Sequence, residues 1–380
     1  MSIKNVLITG ARAPVALDLA RKFAKRGINI YTADSTRYNL CMKSKAVIKN
    51  FILPKPNVEY EAFIVALRDI IKKYHIDLII PTCEEIFYVA KGLGQRHCKV
   101  FCSDIDLLSE LHNKYDFIRL CQQQNIIIPK TKIYYCYDEI LEYIKSFPFQ
   151  TPLVLKPVYS RFGANVHILS EDKSEIPKIE ISESYPWILQ EYIEGTQFCT
   201  YSIVQNGKIV SHCHYENKFT INNGANIYFQ HIDNKEIYCI IEKLVANLNF
   251  TGQIAFDMIQ TKEGVIFPIE CNPRATSGIH LFDENVTKAF VDTNSFIRPI
   301  EKSKMLVLPM IIYGIKSKDI FSKNWWTTFL KSEDVIFNLR DLSPFFYQFF
   351  VYLSFFMESL KNHKKIEAIA TEDIEWNGEF

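Results

Sequence analysis

Short apolar runs alternate with amphipathic helical stretches through the first hundred residues. Asn5–Thr9 is an apolar run that ends at Gly10. Pro14–Lys25 then repeats apolar residues at helical spacing, with Val15, Leu19 and Phe23 on one face and Gly27 as the stop. Residues 28–33 form the next run, closing on Asp34, and 58–74 the next helical stretch. Residues 78–81 and 99–102 read as two further strands. Strands separated by helices predict a parallel sheet with right-handed crossovers. Residues 104–125 read as one or two helices carrying Asn113 and Lys114, followed by a strand at 132–136 and a helix over Tyr137–Ser146.

The pattern changes after Pro152. Residues 153–156, 166–169, Trp187–Glu191, 198–205 and 208–214 read as short strands, and Asn206-Gly207 is a strong hairpin signal. Residues 234–248 read as a helix. Gly252–Gln260 and 265–270 predict a second hairpin around Lys262-Glu263-Gly264. This half is expected to be α+β and largely antiparallel. Beyond about residue 302 the chain is aromatic. Ser343-Pro344 opens a helical run that is rich in phenylalanine to Phe356 and is followed by Lys361, Lys364 and Lys365. A buried helix or a homodimer interface is the expectation there, with contact to an acyl chain or a membrane surface as the other reading.

The 380 residues are 48% hydrophobic, enough for two or three packed lobes. The 44 basic and 43 acidic side chains leave a net charge of +1, which argues against nucleic acid as the main partner and for small molecules. Ten cysteines without a CxxC pair suggest buried thiols in a reducing compartment. The N-terminus reads as a strand and not as a signal peptide, and no apolar stretch has the length of a membrane span, so the expected location is the cytoplasm.

Candidate chemistry concentrates in Phe256-Asp257-Met258-Ile259 and Pro268-Ile269-Glu270-Cys271-Asn272-Pro273-Arg274. If these strands form a hairpin, Asp257 and Glu270 are neighbours that can face one side. Glu270 and Asn272, two apart, share a face. Two carboxylates and an amide oxygen make a hard, oxygen-only set of the kind Mg2+ takes, with Mn2+ as a substitute. Arg274 follows on the same face and suits a phosphate oxygen. The plainer alternative is a pair of solvated acids at a hairpin end, against which stands the cost of leaving an uncompensated charge on an apolar strand. Leu153-Val154-Leu155-Lys156 delivers one lysine at the end of another apolar strand, where it needs an anionic partner such as a nucleotide phosphate. Ser160-Arg161-Phe162-Gly163-Ala164 is a turn that can fold over phosphates, although it has one glycine only. His214 and Lys218, with Arg161 and Arg274, are candidates for reading a substrate, although an exposed polar loop is the plainer account of 214–218.

The order Lys114, Lys156-Pro157, the 160–164 loop, Gln190-Glu191-Tyr192-Ile193-Glu194-Gly195, Asp257 and Glu270-x-Asn272-Pro273-Arg274 resembles the ATP-grasp superfamily. Through Asn272-Pro273-Arg274-Ala275-Thr276-Ser277-Gly278 it resembles the carbamoyl-phosphate-synthetase-like branch. The resemblance covers about residues 1–300. It implies a Rossmann-like parallel-sheet domain over 1–112 and an ATP-grasp domain over 113–300. Within the latter, a lid lobe at about 130–192 and a C-terminal lobe at about 193–300 would grip ATP, leaving an aromatic extension over 301–380. It further implies that Lys114 and Lys156 contact phosphates, with Ser160, Arg161 and Gly163 of the loop beside them. Gln190, Glu191 and the backbone of Ile193 would meet adenine, and Asp257, Glu270 and Asn272 would bind Mg2+. Arg274 and Lys156 would be the catalytic groups. Gln197 stands where the family usually carries an acid for the ribose hydroxyls, and an amide still hydrogen-bonds a hydroxyl. The implied reaction is ATP-dependent activation of a carboxylate as an acyl phosphate for attack by an amine. Two rivals remain: a non-catalytic ATP-binding or scaffold protein, and a NAD(P)-dependent oxidoreductase suggested by Gly10, Asp34 and the first βα turn.

Overall fold

The computed structural model describes residues 3–94, 98–146, 152–161, 165–169, 176–221 and 224–378. Its first layer is a five-stranded parallel sheet in the order β3-β2-β1-β4-β5, built from β1 (Asn5–Thr9), α1 (Pro14–Lys25), β2 (Asn29–Asp34), β3 (Lys49–Ile52), α2 (Tyr60–Tyr74), β4 (Leu78–Ile80), α3 (Glu85–Leu93) and β5 (Lys99–Val100). Val6, Leu7 and Ile8 are buried on both faces, as a central strand covered by helices requires. The periodicities do not announce β3 and α3. β3 (Lys-Asn-Phe-Ile) is a half-buried edge strand with no apolar run to mark it. The C-terminal ends of the strands meet at Gly10, which has φ +73 and leaves no room for a Cβ, since one would sit 2.5 Å from Thr82 Oγ1.

Two helices follow, α4 (Ile105–His112) and α5 (Lys114–Gln123). Asn113 separates them, and its Oδ1 accepts from the backbone N–H groups of Tyr115 and Asp116. The next layer comprises β6 (Thr131–Tyr134), α6 (Tyr137–Ser146), β7 (Leu153–Pro157), β8 (His167–Leu169) and β9 (Trp187–Glu191). These strands form an antiparallel sheet, β6-β9-β7-β8, over a small core of Tyr134, Ile140, Leu155, Trp187 and Leu189. A third sheet, β11-β10-β15-β16, is also antiparallel. It is made by β10 (Thr196–Gln205), β11 (Lys208–Glu216), β15 (Gly252–Gln260) and β16 (Ile266–Asn272). Between β11 and β15 the chain makes β12 (Thr220–Ile221), β13 (Ala225–Asn226), β14 (Tyr228–Phe229) and α7 (Lys235–Leu248). Ile237, Ile241 and Leu244 of α7 share a core with Ile254 and Phe256. A parallel sheet followed by two antiparallel ones is the mixed architecture that the periodicities predict.

The C-terminal stretch departs from its expectation. It contains β17 (Lys304–Met305), α8 (Val307–Ser317), α9 (Lys323–Lys331), β18 (Glu333–Asp334), α10 (Ser343–Asn362) and α11 (Ile366–Ile369). The chain folds back onto the first layer: Asp341 receives Arg21, and Asp373 receives Arg12. α10 is not a buried helix within this chain. Pro344, Gln348, Val351 and Phe355 face inward, while Phe346, Phe350, Leu353 and Met357 stand in solvent.

Candidate active site

The β15–β16 hairpin sets Asp257 directly opposite Glu270, and Asn272 opposite Ala255. A bulge between Asp257 and Met258 bends the strand at this point. Alternation places Glu270 and Asn272 on one face. Two carboxylates opposite one another on adjacent strands repel, and burial followed by the charge of Glu270 raises Asp257 above the usual carboxylate range. Nearby positive charge holds the pair together. Lys114 Nζ lies 3.5 Å from Glu270 Oε2 and donates to the Ser160 carbonyl at 3.2 Å. Lys114, the first residue of α5 immediately after the Asn113 cap, is 1% exposed. Lys156, on β7 in the facing sheet, is 5% exposed. Burial lowers it to about 8, against the upward pull of Glu270.

Arg274 Nη2 donates to Asn272 Oδ1 at 3.2 Å and lies 3.8 Å from Glu84 Oε1. Its Nε is buried with no partner among the described residues. Arg161 Nε donates to Glu84 Oε2 at 2.5 Å, and its Nη atoms donate to the Trp376 carbonyl and to Asn377. Glu84, at the end of the parallel sheet, thus joins both arginines. Burial would raise its pKa, but the charges of Arg161, His112 and Arg274 outweigh that and lower it. Ser160 is buried and offers its carbonyl to Lys114. Gly163 lies outside the described residues.

Gln190 on β9 is buried and donates to Thr131 Oγ1 at 2.9 Å. Glu191 ends that strand and turns its carboxylate back to the Lys130 N–H at 3.2 Å. Ile193 lies in the linker between β9 and β10. Gln197, near the start of β10, is exposed and accepts from Asn217 Nδ2 at 3.2 Å. It shares a strand face with Cys199, which pairs with Asp257 in the register.

The structure corrects one substrate-reading candidate and brings in three residues that the sequence does not mark. His214 cannot reach the cleft: β11 continues to Glu216, and His214 pairs with Thr200 on the face away from Cys199. There it lies with His212 and His231, pushed down to about 4 by burial and by His231. Lys218 spreads its ammonium over the rings of Phe219 and Tyr228. Asn217 reaches the site instead. Cys199 Sγ donates to Asp257 Oδ1 at 2.7 Å and lies 3.2 Å from Asn217 Oδ1, and Asn226 Nδ2 donates to the sulfur at 3.3 Å. Period-two alternation along β10 is the available signal for Cys199; nothing local marks the two asparagines.

Among the described residues no group of three or more His, Cys, Asp or Glu side chains is arranged to hold a metal. The Asp257–Glu270–Asn272 set fits a cation that takes one or two carboxylates and completes its shell from water and phosphate oxygens, as Mg2+ does. The crevice at the C-terminal ends of the parallel strands is filled differently. Asp34 receives the Arg12 backbone N–H at 2.7 Å and its guanidinium at 2.7 Å, and Asp373 takes the rest of that guanidinium at 2.6 and 2.7 Å. An acid so engaged is not free for a dinucleotide ribose.

A family model described as the ATP-grasp domain matches residues 111–278. Over 236 residues the chain is 25% identical to the multifunctional protein URA2 of Saccharomyces cerevisiae, covering 56% of this chain and 10% of that protein. The chain therefore spans about a tenth of that relative's length. The N5-carboxyaminoimidazole synthetase of Staphylococcus aureus complexed with ADP superposes with a TM-score of 0.64 at 13% identity, over 83% of this chain and 86% of that one. The L-amino acid ligase of Bacillus licheniformis does so at 0.57 and 15% identity, over 73% and 69%. At these identities the structural likeness speaks for the fold.

Proposed function

We propose that this chain, which carries an ATP-grasp domain over residues 111–278, is an ATP-dependent ligase that activates a carboxylate as an acyl phosphate and passes the acyl group to an amine. The supporting observation is the direct cross-strand pairing of Asp257 with Glu270, beside the buried Lys114 and Lys156. In this reading Asp257, Glu270 and Asn272 hold Mg2+, with Mn2+ as a substitute. The bound cation supplies neutralisation of the charge that builds on the β- and γ-phosphate oxygens. Lys156 and Lys114 reach the same phosphates from the facing sheet and from the start of α5. Arg274, with one Nη on Asn272 and its Nε unengaged, steadies the phosphoryl group in transfer. A carboxylate oxygen displaces ADP from the γ-phosphorus; the amine nitrogen then attacks the acyl carbon, phosphate departs and the amine proton passes to solvent. Neither step requires a protein nucleophile.

Adenine takes the linker at Gln190, Glu191 and Ile193, and Gln197 faces the ribose. The working division is a Rossmann-like domain over 1–112, an ATP-grasp domain over 113–300 and an extension over 301–380. All ten cysteines are free, which suits a reducing compartment such as the cytoplasm.

A screen for ADP release over carboxylate–amine pairs tests the proposal, with Glu270→Gln as control. At least one pair should release ADP and phosphate, with the variant about a hundredfold slower or worse. Nucleotide binding with no ADP release from any pair would leave the chain a non-catalytic binder.

A further inference from the structure

We infer that α10 is a docking face for an anionic lipid surface, with the helix lying in the plane of the membrane. Phe346, Phe350, Leu353, Met357 and Leu360 succeed one another at three- and four-residue steps and are 55–63% exposed, with Phe349 and Phe356 along the same edge. At about 100° per residue these positions fill one stripe roughly 120° wide, opposite the buried Val351 and Phe355. The stripe continues beyond the helix through the contacts of Phe337 and Phe346 with Phe345. Half-exposed aromatics on this scale present on the order of 700 Å² of apolar surface, above the largest patch of an ordinary monomer. No helix among the described residues is long and apolar enough to cross a bilayer, so an in-plane contact is the geometry left to this one.

The charges at the two ends of the helix choose the occupant. Arg340 is exposed just before α10, and Lys361, Lys364 and Lys365 are exposed at its other end. Glu358, the single acid within the helix, falls about 140° from the stripe centre. From Arg340 to Lys365 the exposed charges are four basic and one acidic, with Lys364 donating to Glu372 at 2.6 Å. A second copy packed antiparallel across the stripe would set Arg340 against the partner lysines, and a parallel one would set lysines against lysines; both arrangements repel. An anionic surface meets Arg340, Lys361 and Lys365 favourably while covering the aromatics.

Full-length protein sedimented with vesicles decides between these. It should pellet with phosphatidylglycerol–phosphatidylcholine vesicles at least tenfold better than with phosphatidylcholine alone, and several-fold less at 0.5 M salt. Phe350→Ser with Leu353→Ser should abolish pelleting and leave the melting temperature unchanged, because both positions are exposed. Lys361→Glu with Lys365→Glu should remove only the preference for anionic lipid. Equal recovery on both vesicle types, or pelleting unaffected by the first pair, would overturn the inference. So would a protein that fails to pellet and elutes as a dimer that Phe350→Ser with Leu353→Ser converts to monomer.

Discussion

At the scale of single residues, Lys156 shows how a functional charge is held. Its ammonium sits at the end of a buried strand and is pushed down to about 8 by burial, against the upward pull of the Glu270 charge. Replacement by methionine keeps the stem and removes the charge. Turnover in the ADP-release assay should fall about a hundredfold, while stability should change little or rise, because a buried cation costs desolvation that a thioether does not. A variant that lost stability and activity in parallel would make Lys156 a structural group. Residues of this type are legible in the sequence: a lysine or a glutamate closing an apolar run is conspicuous because an unpaired charge there is expensive. Asn217 and Asn226 are not legible, and Cys199 is legible only through the alternation of β10. Their residue types are common in ordinary strands and loops, and only the β10–β15 register and the return of the chain at β13 bring them to Asp257.

The elements place those residues, and the caps place the elements. Asn113 satisfies two N–H groups at the start of α5 and so fixes Lys114 3.5 Å from Glu270. Asn113→Ala should cost about 1 kcal/mol in a denaturation experiment and weaken ATP binding beyond that loss, whereas Asn113→Asp should restore both. Equal ATP affinity in all three proteins would mean that α5 starts at the same place without its cap. Most of these elements are readable from period alone; β1 and α1 match their expected bounds because a core strand and an amphipathic helix carry strong periodicities. β3 escapes that reading because an edge strand buries too little to need an apolar face. His214 escapes it for a related reason: β11 runs two residues past the point where its apolar pattern fades, which assigns the side chain to the opposite face.

At the scale of the molecule, the C-terminal stretch ties the layers together. Asp373 and Asp34 both close on Arg12, while Arg161 joins Glu84 to the carbonyl of Trp376. The members of each bonded pair lie 22 or more residues apart in sequence, which is why periodicity gives no sign of them. Arg12→Ala would leave two buried carboxylates without their cation and should cost about 3–5 kcal/mol. Burial would raise Asp373, but its hydrogen bond and ion pair with Arg12 outweigh this and hold it low, and Glu84 is held low by its own cations. Stability from such groups is complete above the unfolded carboxylate pKa and is lost as pH falls through the lower folded values. The contribution of these carboxylates should therefore be level above about pH 5 and be lost below about 4, whereas the buried histidines His112 and His214, pushed down to about 3 and about 4, should already lower the urea midpoint as pH falls below about 6.5. All of this scaffolding serves one claim, that Asp257, Glu270 and Asn272 hold a divalent cation against a triphosphate. Calorimetric titration with a non-hydrolysable ATP analogue, with and without Mg2+, tests it most directly. The account predicts that Mg2+ tightens binding at least tenfold in the natural protein and has no such effect in Asp257→Asn with Glu270→Gln; the same Mg2+ dependence in both proteins would contradict it.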